Sequence, residues 1–123
     1  MVRILYVEDN EQNMRLVQKI LKHAGYEVLG AEDGYKGVEA AVAELPDLIL
    51  MDVNLPDITG LEATAHIKQK PELAGIPIIA LTANATVGSR EEAIAAGCDG
   101  YLAKPFRRED LLEIIESFLA NRV

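Results

Sequence analysis

Residues Asp47–Asp52 read DLILMD, four consecutive apolar side chains closed at each end by an aspartate. An unbroken apolar run of that length marks a strand covered on both faces, the situation inside a parallel sheet. Comparable runs stand on either side: RILYVE at Arg3–Glu8, YEVLGA at Tyr26–Ala31, PIIALT at Pro77–Thr82 and the short GYLA at Gly100–Ala103. The segments between them carry helical spacing. From about Glu11 to Ala24, Met14, Val17, Ile20, Leu21 and Ala24 fall on one face, and Gly25 ends the run. Asp33 can cap a helix from Gly34 to Glu44, with Val38, Ala41, Val42 and Leu45 inward and Pro46 beyond it. Thr59 can cap another from Gly60 to about Lys70, stopped by Pro71. The last two run from about Thr86 to Ala96, ended by Gly97, and from about Arg108 to Asn121, with Leu111, Leu112, Ile115, Phe118 and Leu119 inward.

Strict alternation of strand and helix predicts an α/β fold, an open, doubly wound parallel sheet of five strands with helices on both faces. A closed eight-unit barrel needs about 250 residues, and the chain has 123. Residues 1–123 are therefore expected to form one domain, long enough to bury a core without disulfides. Cys98 is the only cysteine, so no intramolecular disulfide can form, which fits a reducing, cytoplasmic setting. The apolar runs are too short for membrane insertion, and the N-terminus lacks a signal-peptide pattern. Twenty acidic residues against twelve basic ones give a formal net charge of −8, which speaks against a nucleic-acid surface. Two histidines and one cysteine cannot furnish a structural zinc site of the usual kind.

The polar residues at the strand ends carry the functional signal. Strand 1 ends in Glu8-Asp9, strand 3 in Asp52 and strand 4 in Thr82, and strand 5 is followed directly by Lys104. Ligands of open α/β sheets bind at this carboxyl edge, near the point where the winding reverses. No glycine-rich phosphate loop follows strand 1, where the sequence is EDNEQN. A site made of carboxylates suits a hard cation, and magnesium best: it takes one or two carboxylates, retained waters and a phosphate oxygen. Clustered carboxylates repel one another, which favours a divalent ion among them.

The ordered set of acid pair, Asp52, Thr82 and Lys104-Pro105, with LMDVNLPDITG around Asp52 and YLAKPF around Lys104, resembles the receiver domain of bacterial two-component response regulators. VEDNEQNM and GCDGYLAKP resemble the single-domain members of that family. The resemblance covers essentially the whole chain and implies a flavodoxin-like receiver fold with strand order 2-1-3-4-5. It implies that Asp52 is the phosphoacceptor. Asp9 and Asp52 would hold magnesium directly, Glu8 mainly through water, and Asn54 would offer its backbone carbonyl. Thr82 and Lys104 would contact the phosphoryl oxygens, Thr82 and Tyr101 would form the switch, and the bond to Pro105 would be cis. Asn54 and Asn84 would govern water's access to the phosphoryl group. The implied protein is a phosphorelay switch rather than an enzyme, one that assists its own phosphorylation and dephosphorylation. Its partners would be a histidine kinase or histidine phosphotransfer protein and a downstream protein target.

Individual residues also have simpler readings. Glu8 and Asp9 suit a helix N-terminus electrostatically, Thr82 can cap the following helix, and Tyr101 can be edge-strand packing. Asn10 and Asn13 read as capping or polar surface residues, His23 and His66 as surface residues, and Cys98 as a small buried packer. The fourth helix is rich in alanine, has few large apolar anchors and is a candidate for motion. Two other functions fit parts of the pattern. A magnesium-dependent phosphatase would share the nucleophilic aspartate but usually needs a second Asp two residues on, where Asn54 stands. A flavodoxin-like cofactor carrier needs a phosphate-binding Ser/Thr/Gly loop after strand 1, and EDNEQN is not one.

Overall fold

A computed structural model describes residues 1–83 and 86–120. Its strands are β1 (Arg3–Val7), β2 (Glu27–Ala31), β3 (Leu48–Asp52), β4 (Ile78–Thr82) and β5 (Gly100–Ala103). They alternate with α1 (Glu11–His23), α2 (Gly34–Glu44), α3 (Gly60–Lys68), α4 (Val87–Ala96) and α5 (Arg108–Ala120). All pairings are parallel, in the order β2-β1-β3-β4-β5, with β3 in the middle. Every residue of β3 and β4 is buried, as their apolar runs require. Asn84 and the predicted helix end at Asn121 lie outside the described residues.

Alternation along each strand divides the core. Leu5, Val7, Ile49, Met51, Ile78 and Ala80 face α2, α3 and α4, while Ile4, Tyr6, Leu48, Leu50, Ile79 and Leu81 face α1 and α5. Register then assigns the strand-end residues. Asp52 falls on the α1/α5 face with Leu48 and Leu50, and Thr82 on the α4 face with Ala80.

The predicted caps form: Asn10 accepts from the Asn13 N–H, Asp33 from Lys36, and Thr59 closes a capping box with Glu62. Thr86 caps α4, so Thr82 is not its cap. Gly97 ends α4 at φ 109°, a conformation costly for any residue with a Cβ. Two predicted core positions are corrected. Leu45 is 56% exposed and Val42 43% exposed. Pro46 disfavours the right-handed helical conformation at the residue before it, and Leu45 turns left-handed at φ 47° and leaves the helix. Val42 sits about 100° round the helix from the buried Ala41, off the apolar face. The third helix also stops at Lys68, short of Lys70.

Candidate functional site

The carboxyl edge of the sheet collects the strand-end residues. Glu8, Asp52 and Thr82 are buried there, and Asp9 is exposed. One carboxylate oxygen from each of Glu8, Asp9 and Asp52 lies within 4.8 Å of the others. Lys104 lies across the group, its Nζ 3.0 Å from Glu8 Oε1 and 3.4 Å from Asp52 Oδ2. Its backbone N–H donates to the Thr82 carbonyl at 2.7 Å, so the lysine is fixed to the end of β4 before its side chain reaches inward. The Lys104–Pro105 peptide bond is cis. Asn54 is exposed on the loop after β3, and its N–H donates to Asp52 Oδ1 at 3.1 Å. Tyr101 is half-buried on β5, away from the acids, with its hydroxyl 2.7 Å from Ser89 Oγ.

Glu8 is held from several sides. Its Oε1 accepts from the Tyr6 hydroxyl at 2.8 Å and from Lys104, and its Oε2 accepts from the Asn10 N–H at 3.2 Å. Tyr6 is fully buried two residues before Glu8, so both side chains leave β1 on one face. Burial pushes the Tyr6 phenol well above its ordinary pKa, and the Glu8 carboxylate adds to this, so the hydroxyl stays a donor. No motif marks Tyr6. The available signal is general: a tyrosine inside an apolar strand must bring its hydroxyl to a partner.

Burial and charge pull the two inner carboxyls apart. Burial alone would raise the Glu8 pKa, but hydrogen bonds with Asp52, Lys104 and Tyr6 outweigh it and hold the group below its ordinary range. Asp52 is pushed up to about 7, first by burial and then by the hydrogen bond and negative charge of Glu8. Burial and the Glu8 charge therefore favour the protonated form of Asp52 below about pH 7 when no divalent cation is present.

The loop after β3 is positioned with equal care. A Cβ at Gly60 would stand 2.0 Å from the Asp52 carbonyl oxygen, so only glycine lets α3 start this close to the strand end. Asp57 reaches across to α2, accepting from the N–H groups of Gly34 at 2.8 Å and Tyr35 at 2.9 Å. Loss of hydration opposes ionisation of Asp57, but backbone donors at Tyr35, Gly34 and Ile58 prevail and bring its pKa to about 2. Its capping role is long-range and has no local signature.

The donor set fits a hard divalent cation: all oxygen, net negative even with Lys104 present, and open to water at Asp9. Beside Lys104 a pocket of about 440 Å³ opens between α1 and the turn into α5, walled by Tyr6, Leu16, Val17 and Phe106. His23 and His66 are exposed and Cys98 is buried. None of the helices is long and apolar enough to cross a membrane among the described residues.

Comparison with known proteins agrees with this geometry. The sequence model of the response regulator receiver domain matches residues 4–116. The polar-differentiation response regulator DivK of Brucella anthropi is 40% identical over 118 residues, 96% of each chain. Among solved structures, the receiver domain of a sensor histidine kinase from Pseudomonas aeruginosa, with magnesium coordinated in its active-site cleft, is 41% identical. It superposes with a TM-score of 0.92 over 98% of each chain. The chemotaxis protein CheY4 of Vibrio cholerae is 33% identical, with a TM-score of 0.92 over 96% of this chain and 98% of that one.

Proposed function

The chain belongs to the response regulator receiver domain family, and from that premise we propose that Asp52 is its phosphoacceptor and that residues 1–123 act as one phosphorelay switch. Receivers are signalling switches of two-component systems. The observation that carries the assignment is the placement of Lys104, with its ammonium on Glu8 and Asp52 at once inside a group that also includes Asp9.

An ionised carboxylate attacks phosphorus without a general base. A bond forms between an Asp52 carboxylate oxygen and phosphorus, and the nitrogen–phosphorus bond of a donor phosphohistidine breaks. The imidazole leaves with the electron pair. Charge spreads over three equatorial oxygens during transfer, so positioning and neutralisation do most of the work. Lys104 moves from Glu8 toward one oxygen, and the Thr82 hydroxyl donates to another. Tyr6 stays on Glu8 as Lys104 leaves, so the carboxylate is not stranded. Asp9, Asp52 and the Asn54 carbonyl would hold magnesium, with Glu8 acting mainly through water, and the ion would supply the remaining positive charge. Thr82 and Tyr101 form the switch, and phosphorylation rearranges the face of α4, β5 and α5. The donor is a histidine kinase or phosphotransfer protein of the cytoplasm, and the output is a protein target.

Incubation with acetyl phosphate and magnesium, read by mass spectrometry, tests the assignment. One phosphoryl group is expected, and it is lost in Asp52→Asn. Equal labelling of Asp52→Asn, or full labelling in excess chelator, contradicts it.

A further inference from the structure

Helix α4 has few apolar anchors. Ala93 is its one fully buried hydrophobic residue among the described side chains, and Ile94 is 57% exposed. Its N-terminus is held instead by hydroxyls. Thr86 Oγ1 accepts from the Ser89 N–H at 3.3 Å, and Ser89 Oγ accepts from the Thr86 N–H at 3.0 Å. Ser89 Oγ also donates to the Thr86 carbonyl at 2.8 Å and lies 2.7 Å from the Tyr101 hydroxyl. A serine hydroxyl has one proton and two lone pairs. With its proton on the Thr86 carbonyl and one lone pair on the Thr86 N–H, only a lone pair is left for Tyr101. The tyrosine must be the donor, and every hydrogen-bonding site of Ser89 is then used.

Tyr101 pairs with Ala80 in the sheet, and Thr82 pairs with Ala103. Thr82 and Tyr101 are therefore diagonal neighbours on the face that α4 covers. We propose that Ser89 is the latch that ties the Tyr101 ring to the N-terminal cap of α4. The position of the ring and the integrity of the helix's first turn then become one variable. The inference rests on the phosphorylation switch for its meaning and names the element that the switch moves. A ring that turns after Thr82 shifts must break its bond to Ser89 or carry the cap with it. Either event reshapes the first turn of a helix with little else to hold it.

Amide hydrogen exchange of the unphosphorylated protein tests the latch without requiring phosphorylation. Tyr101→Phe keeps the ring and removes only the donor. It is expected to speed exchange at the first turn of α4 by about fivefold, the effect of losing one neutral hydrogen bond, and to leave the first turn of α1 unchanged. Ser89→Ala loses the cap bond as well and should exchange faster still, whereas Ser89→Thr keeps a hydroxyl and should restore slow exchange. Unchanged exchange at α4 in Tyr101→Phe overturns the latch. Acetyl phosphate labelling of the wild type separates the two ideas. Failure to label Asp52 removes the phosphorylation reading and leaves the exchange result standing, and labelling with unchanged exchange removes the latch alone.

Discussion

Lys68 and Lys104 sit at opposite edges of the sheet with almost the same side-chain exposure, 19% and 20%. Lys68 Nζ donates to Ile76 O at 2.8 Å, Asp99 Oδ2 at 2.9 Å and Ala74 O at 3.1 Å. Asp99 Oδ2 also accepts from the Ile78 N–H. An ammonium has three protons, and here three acceptors and one opposing charge use them all. Lys104 instead faces Glu8 and Asp52 directly, with Asp9 beside them. Its cation leaves the group negative, and the imbalance favours a proton on Asp52 below about pH 7. Equal burial thus accompanies opposite roles. A balanced lysine ties the α3–β4 connection to the start of β5, and an unbalanced one marks a place where a further cation or a transferred group can enter.

The largest expected effect follows from that proton. A carboxyl whose pKa is higher in the folded than in the unfolded chain takes up protons on folding. Its contribution to stability is full below its unfolded pKa and is lost as pH rises through the folded value, about 7 for Asp52. Without metal, urea unfolding should show stability falling by a few kcal/mol, as an order of magnitude, from mildly acid to mildly alkaline pH. Asp52→Asn should flatten this dependence and be the more stable protein above pH 7.

The two lysines should then separate by metal dependence. Lys68→Ala strands two carbonyls and a carboxylate, and should cost about 2 kcal/mol whether or not magnesium is present. Lys104→Ala leaves acids that can take up a proton, and should cost about 1 kcal/mol without metal. Magnesium should restore the Lys104 variant, since it replaces the missing charge. Thermal melts with and without magnesium measure both. A Lys68 variant rescued by magnesium, or a Lys104 variant that is not, removes the distinction. The smallest effect belongs to Asp9→Asn. Asp9 is exposed, so relief of repulsion should raise metal-free stability by no more than about 0.5 kcal/mol, while phosphorylation slows. A large drop in melting temperature would make Asp9 structural.

Much of this is legible in the amino-acid sequence. Apolar runs separated by helical spacing predict all five strands in order, because strands buried on both faces admit few polar residues. The strand-end acids and Lys104 are legible because a parallel sheet directs its ligand-facing residues to one edge. Tyr6, Asp57 and Ser89 are harder to read. Each acts through a partner fixed by tertiary packing: Tyr6 through its fit against Glu8, Asp57 through a helix twenty-two residues away, Ser89 through a neighbouring strand. Leu45 misleads because its spacing is helical while Pro46 turns the chain out.

The proton count on metal binding tests the unbalanced site most directly. Magnesium binding measured calorimetrically in buffers of different ionisation enthalpy should release about one proton near pH 6 and almost none near pH 8, because the ion needs Asp52 ionised. Asp52→Asn should abolish the release. Binding at the acid group with no proton released near pH 6, or an unchanged release in Asp52→Asn, would contradict the account.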